Sequence, residues 1–296
     1  MRVPVSWLGE WVDLPDEVSL ERLHADLVRV GFEEEEVVTF DLQGPIVVGQ
    51  VLSAEKEPQS NGKTITWCQV DVGEPQTRGI VCGAHNFAAG DKVVVTLPGA
   101  VLPGPTASDP FVIAARKTYG HVSDGMIASA RELGWGDEHE GILRLADLGV
   151  DAPVGSDAIA LLHLDDAAVD INVTPDRGYA LSIRGIAREY GHATGAAFRD
   201  PAAAVVLPAV PTGFPFEFRD DAPIRGRAGI RRASFRVVRG VDGTRPTPPW
   251  LKTRLLLAGI RSLGILIDIT NYVMLELGNP IHGYDLDRLQ GGITVR

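Results

Sequence analysis

Cysteine is nearly missing from this sequence: Cys68 and Cys82 are the only two in 296 residues. Two thiols in separate strand-like runs make neither a disulfide framework nor a zinc site, so both are expected as small buried hydrophobes in a reducing compartment. No apolar run reaches the roughly 20 residues needed to cross a bilayer. The opening Met-Arg-Val-Pro-Val-Ser-Trp carries one charge and no apolar h-region. Neither a membrane span nor a secretory signal is therefore expected, and the reading is cytoplasmic. A glycine-rich phosphate loop of the Walker or dinucleotide kind is also lacking. No metal or cofactor site is expected within these residues.

Positive charge is scarce too. The formal net charge is −11, which argues against nucleic-acid binding by the whole surface. Its distribution is uneven. Residues 1–200 hold 15 Lys and Arg against 31 Asp and Glu, whereas residues 221–261 hold 10 basic residues against two acidic ones. That basic block could face phosphates, or could be a strand edge protected by charge. Hydrophobic content of 45% and charged content of 23% are ordinary for a globular chain, and the length suits two or three domains.

Taken in order, residues 1–40 open with a strand-like Val3 to Leu8. A helix follows, capped by Ser19, with Leu20, Leu23, Leu27 and Val30 on one face and Gly31 at its end. Glu33 to Glu36 reads as a solvated edge. This segment is too small for its own core and should pack against something later in the chain. Residues 41–151 read as all-β. Expected strands are Ile46–Leu52, Thr64–Val72, Gly79–Cys82, Lys92–Leu97 and Gly141–Leu145, separated by Gly- and Pro-rich turns that include Pro98 to Pro110. Five short strands suit a Greek-key barrel such as the OB-fold, although propensity alone does not separate it from a small sandwich.

Residues 152–200 return to mixed structure. Val169–Val173 alternates like a strand, Thr174–Gly178 is a turn, and Ser182 caps a helix faced by Ile183, Ile186, Ala187 and Tyr190. Residues 201–215, with Pro201, Pro208, Pro211 and Pro215, read as an extended Pro/Ala-rich linker. Beyond it, Ser234–Val238 is an expected strand, Thr247 with Pro248 begins a helix that ends at Gly259, and Ile265–Ile269 is an expected short buried strand. Thr270 then reads as an N-cap for a helix faced by Val273, Met274 and Leu277 and stopped by Gly278 and Pro280. On that reading Asn271 sits at the helix start and His282 in the loop past its end. The chain stops in strand-like Ile293–Val295, which suggests a fragment.

The run Thr270-Asn271-Tyr272-Val273-Met274-Leu275-Glu276, followed by Gly278-Asn279-Pro280-Ile281-His282-Gly283-Tyr284-Asp285, resembles the signature of the editing domain in bacterial phenylalanyl-tRNA synthetase β subunits. There the loop reads Gly-Gln-Pro-Leu-His-Ala-Phe-Asp. Cys68–Gly73, Ile80–Asn86, Leu97–Ala100 and Ser123–Met126 resemble the tRNA-binding OB domain of the same family. Thr174–Arg177 with Leu181–Glu189 resembles the segment that folds with the chain's beginning. One turn departs: the family's His-Pro-Asn-Ala-Asp-Lys-Leu is here Glu57–Lys63.

The resemblance implies an α+β multidomain protein. Residues 1–40 and 152–200 form one small α/β domain split by an inserted OB barrel (41–151). After the linker, residues 216–296 begin a B3/B4-type α/β editing domain and leave it incomplete. It implies a ligase subunit that partners an α subunit in an (αβ)2 heterotetramer and binds tRNA(Phe). ATP and Mg2+ serve the whole enzyme, and this stretch alone is expected to be inactive. Carried over residue by residue, Arg261, Asn271 and His282 fall on the editing pocket. His282 would orient the ester or attacking water, or act as general base. Asn271 would bond the ribose or ester, and Arg261 a phosphate or the terminal nucleotide. Lys56, Lys63 and Lys117 are candidate phosphate contacts on the barrel. Two rival readings are a tRNA-binding OB module without chemistry and a free-standing aminoacyl-tRNA deacylase. Copurification with a large α partner, or deacylation by the isolated chain, separates them.

Overall fold

The computed structural model describes residues 1–104, 109–206 and 214–296. The strands, in chain order, are β1 (Arg2–Pro4), β2 (Glu33–Val38), β3 (Ile46–Pro58), β4 (Thr64–Asp71), β5 (Arg78–Cys82), β6 (Lys92–Thr96), β7 (Val101–Leu102), β8 (Phe111–Val112), β9 (Arg116–Thr118), β10 (His121–Ser123), β11 (Met126–Ile127), β12 (Ala168–Asn172), β13 (Phe216–Phe218) and β14 (Ile293–Val295). The α-helices are α1 (Val5–Gly9), α2 (Leu20–Val28), α3 (Ala158–Leu161), α4 (Ile183–Thr194), α5 (Pro249–Leu257) and α6 (Ile265–Leu277).

Chain segments from either side of the barrel meet in one sheet. Its order is β1-β12-β2, with Val3 opposite Val169 and Val38 opposite Ala168. The Cβ alternation of β12 turns Val169 and Ile171 inward, where Trp7, Leu8, Leu23, Leu27, Ile183 and Ile186 complete a buried cluster. The sequence expectation of a strand through Leu8 is corrected: after Pro4 the chain turns into α1. Trp7, Leu8, Trp11 and Val12 are all buried, a helical spacing that two-residue alternation would split between faces. The Ser19 cap stands, its hydroxyl accepting from Arg22 N at 3.2 Å, as does the Ser182 cap on Gly185 N at 3.0 Å.

The barrel sheet has the order β11-β6-β3-β4-β5. It is nearly closed and OB-like. The gap between β5 and β11 is bridged where Val81 N donates to Ser123 Oγ (3.0 Å) and Asp124 N donates to Gly79 O (2.8 Å). Val51, Cys68, Val70, Ile80, Val93 and Val95 fill its interior. Burial pushes the Cys68 thiol up to about 12, with Cys82 nearby adding to it, so it stays a protonated hydrophobe. Two strand expectations change. β3 runs on to Pro58, because β4 continues to pair with it as far as Thr64. Gly141–Leu145 is not a strand: it makes a single bridge, Arg144 to Val93, before a 3₁₀ turn at Leu145–Leu148, and β11 takes the fifth place in the sheet.

Of the expected linker, Pro201–Ala204 is a 3₁₀ turn, while Pro208 and Pro211 lie outside the described residues, as does part of the Pro98–Pro110 turn. Ser234–Val238 is not a strand, although its alternating exposure persists. β13 instead pairs in parallel with β14, Phe216 opposite Ile293. Helix α5 begins at Pro249 with Pro248 at its cap position, one residue later than expected. A third buried cluster ties the body together, joining Trp135, Leu143 and Leu145 of the barrel region to Ala158, Leu162 and Ala168 and to Leu257 of α5.

Candidate functional site

Helices α5 and α6 carry or flank every residue expected in the editing pocket, and a buried carboxylate organises their junction. Asp268 is 0% exposed. Its Oδ2 accepts from the Thr247 and Ser262 hydroxyls, both at 2.5 Å, and its Oδ1 accepts from Leu263 N at 2.9 Å. Three donors satisfy a charge that burial would otherwise make costly. This clasp corrects the expectation for Ile265–Ile269. The run is the start of α6, not a buried strand, and its one fully buried residue is the aspartate. Leu266, Ile267 and Ile269 are each nearly half exposed. Thr270 consequently lies inside the helix, donating to Ile267 O at 2.7 Å, and caps nothing; Gly264 holds the N-cap position. Asn271 sits half-buried in mid-helix and not at its start.

Gly278 ends α6 with φ +79°, the left-handed conformation that glycine adopts without strain. A Cβ there would also stand 3.3 Å from the Ser182 Cβ, so this turn seats α6 against the head of α4. His282 follows in an exposed loop with its ring stacked on Tyr284, centroids 4.7 Å apart. Arg261 is exposed in the turn before α6. Among the described residues no hydrogen bond or ion pair links Arg261, Asn271 and His282 to one another. On the barrel, Lys56, Lys63 and Lys117 are exposed and none enters an ion pair among the described residues. The arginines from Arg225 to Arg245 lie on exposed, irregular backbone, not on a strand edge.

The structure gathers a second set of side chains that the sequence did not single out. A cleft of about 380 Å³ opens between α1, the turn after α3, α5 and α6, with Ser6, Glu10, His163, Asp166, Trp250 and Arg254 on its walls and Thr253 and Tyr272 completing them. Arg254 donates to Glu10 Oε1 at 2.5 Å and to the Tyr272 hydroxyl at 3.1 Å, and lies 5.5 Å from the Trp250 ring centre. Burial lowers its pKa, but the Glu10 hydrogen bond and the charges around it leave the guanidinium raised overall. Burial, aided by the Glu276 charge, pushes the Tyr272 phenol up to about 12, so it keeps its proton. Trp7 stacks on Tyr272 at 4.3 Å. Behind the cleft, Trp135 Nε1 donates to Thr253 Oγ1 and the Thr253 hydroxyl donates to Leu162 O, both at 2.7 Å. His163 follows α3 with φ +56°, where glycine is usual and an L-residue costs about 1–2 kcal/mol. No local motif announces this cleft, because its residues are drawn from positions 6 to 272.

A family model described as "Putative tRNA binding domain" matches residues 46–157, and one described as "B3/4 domain" matches residues 229–296. Similarity extends over the full chain to proteins named phenylalanine–tRNA ligase beta subunit. The one from Leifsonia xyli subsp. xyli is 66% identical, covering 100% of this chain and 36% of its own length. Those from Bifidobacterium longum and Thermobifida fusca are 49% and 50% identical, covering 99% and 100% of this chain and 36% and 35% of their own lengths. Over its whole length the chain is similar to phenylalanine–tRNA ligase β subunits, and it spans about 36% of the length of the curated relatives it matches. Among the described residues, no helix is long and apolar enough to cross a membrane.

Proposed function

We propose that this chain supplies tRNA binding and part of a proofreading site to a cytoplasmic phenylalanine–tRNA ligase. In that enzyme an α subunit carries the ATP- and Mg2+-dependent synthesis, in an (αβ)2 assembly acting on tRNA(Phe). The observation that carries this reading is the similarity of the whole chain to named β subunits, with the B3/4 match at residues 229–296. The proposed division is an α/β unit from 1–40 and 152–200, an inserted OB domain (41–151), a linker (201–215) and the beginning of the editing domain (216–296). No residue of this chain is assigned to ATP or magnesium. Among the described residues, no three His, Cys, Asp or Glu side chains gather as a cation site.

The chemical need for proofreading is simple. Tyrosine differs from phenylalanine by one hydroxyl, and an apolar pocket rejects such an addition by only about 10²-fold. A second pocket that hydrogen-bonds the hydroxyl selects the wrong product for hydrolysis. Water must be positioned against the aminoacyl ester and the developing oxyanion stabilised. His282 is assigned to orient the ester or the water, Asn271 to bond the ribose or ester, and Arg261 to pair with a phosphate. The Asp268 clasp supports this assignment. It grips Ser262, next to Arg261, and lies one helical turn before Asn271. Lys56, Lys63 and Lys117 are assigned to the tRNA backbone. The test is hydrolysis of Tyr-tRNA(Phe) by the full enzyme carrying His282→Ala. The expected loss is about 10²-fold, and unchanged hydrolysis removes His282 from the mechanism.

A further inference from the structure

The cleft walled by α1, α5 and α6 has no part in the proofreading assignment, yet it is built like a ligand site. Its volume of about 380 Å³ falls within the roughly 300–1,000 Å³ of small-molecule pockets. Its walls are held from behind by the Trp7–Tyr272 stack and the Trp135–Thr253–Leu162 hydrogen bonds. At the rim Trp250 is 40% exposed although it is the largest side chain there. Two carboxylates, Glu10 and Asp166, also line it, Asp166 accepting from Ser6 N at 3.1 Å and Ser6 Oγ at 2.6 Å, and His163 occupies a left-handed position that only glycine takes freely.

The charge pattern narrows the ligand. Arg254 is already paired with Glu10, so the two carboxylates leave an excess of negative charge that opposes a phosphate. A cationic ligand meets the guanidinium, which already lies beside both Trp7 and Trp250. What remains favourable is a neutral, planar ring to stack on indole, joined to hydroxyls that donate to carboxylates. The Tyr272 hydroxyl, which already accepts from Arg254, retains its own proton to donate to a ring acceptor. We propose that this cleft binds a ribonucleoside moiety, its base on Trp250 and its ribose hydroxyls on Glu10 and Asp166. The proposal is independent of the editing assignment of Arg261, Asn271 and His282.

The experiment is calorimetric titration of the protein with adenosine, guanosine, cytidine and uridine and with their 2′-deoxy counterparts. At least one ribonucleoside is expected to bind saturably, with its 2′-deoxy analogue about tenfold weaker or more, because the deoxy form loses a charge-assisted hydrogen bond to a carboxylate. Trp250→Ala, on an exposed ring, should weaken binding by about tenfold or more through lost stacking. Asp166→Asn should weaken the ribonucleoside and leave the 2′-deoxy form nearly unchanged. Failure of every ribonucleoside to bind at about 10 mM, or equal binding of ribo and deoxy forms by the unmodified protein, overturns the proposal. Binding unchanged in Trp250→Ala overturns it as well. Displacement of the bound ribonucleoside by tRNA identifies the natural source as an RNA nucleotide, and retention identifies a free one. Loss of tRNA binding itself is read separately by filter retention, so failure of the tRNA reading is distinguishable from failure of this site.

Discussion

Replacing Thr253 with valine removes one buried hydroxyl that serves two neighbours. Thr253 is 1% exposed, accepts from Trp135 Nε1 and donates to Leu162 O, each at 2.7 Å. Valine has nearly the same shape, so the change creates little cavity but leaves an indole N–H and a carbonyl without partners. Each of the two stranded groups costs about 1–3 kcal/mol, and the added methyl returns about 1 kcal/mol, so a net loss of roughly 1–5 kcal/mol, centred near about 3 kcal/mol, is expected. At about 2–4 °C per kcal/mol for a chain of this size, the melting temperature should fall by roughly 5–15 °C. The loss should centre on the seat of α5, where Lys252 also lies 4.1 Å over the Trp135 ring. Urea unfolding followed by tryptophan fluorescence reads both the midpoint and the Trp135 environment. Thr253→Ser keeps both hydrogen bonds and loses one methyl, so it should cost about 1 kcal/mol. A valine variant as stable as the serine variant would refute the reasoning.

Two further expectations follow from the geometry. Burial raises the Glu276 carboxyl above its usual range, while its contacts with the Trp7 and Trp11 indoles oppose the rise. A raised folded-state pKa means the native state holds the proton more tightly, so stability is lost as pH climbs from the unfolded value through the folded one. Glu276→Gln should therefore be more stable than the parent at neutral pH, with the advantage vanishing toward acid; thermal melts across that range check it. A Cβ on Gly79 would stand 2.3 Å from the Trp67 ring, which stacks on His121 at 4.1 Å. Gly79→Ala should cost about 1–3 kcal/mol and loosen the β9–β10 hairpin, seen as faster amide exchange over residues 116–123.

The elements that were legible in the sequence are those whose signals are local. Ser19 and Ser182 cap helices because a hydroxyl beside orphan amides works within three residues. Gly278 ends α6 because its left-handed backbone suits a residue without Cβ. The barrel strands β3, β4, β5 and β6 were legible as apolar or β-branched runs bounded by turn residues, whereas the two-residue β11 is too short to carry a period. The misreading at Ile265–Ile269 has the same origin. A short apolar run does not distinguish strand from helix, and the choice was made by Asp268, whose partners Thr247 and Ser262 hold it in place.

By itself the sequence determined most of the barrel strands and the Ser19 and Ser182 caps, because each rests on residue types at short spacing. Only the tertiary structure decided that Asn271 lies in mid-helix and that Asp268 is the buried charge. It also decided that Glu10, His163, Asp166, Trp250 and Tyr272 share one cleft. Those side chains meet through β1-β12-β2 pairing and the packing of α5 against the body. Contacts across such separations depend on closing the chain over the inserted barrel, and no local periodicity encodes that closure.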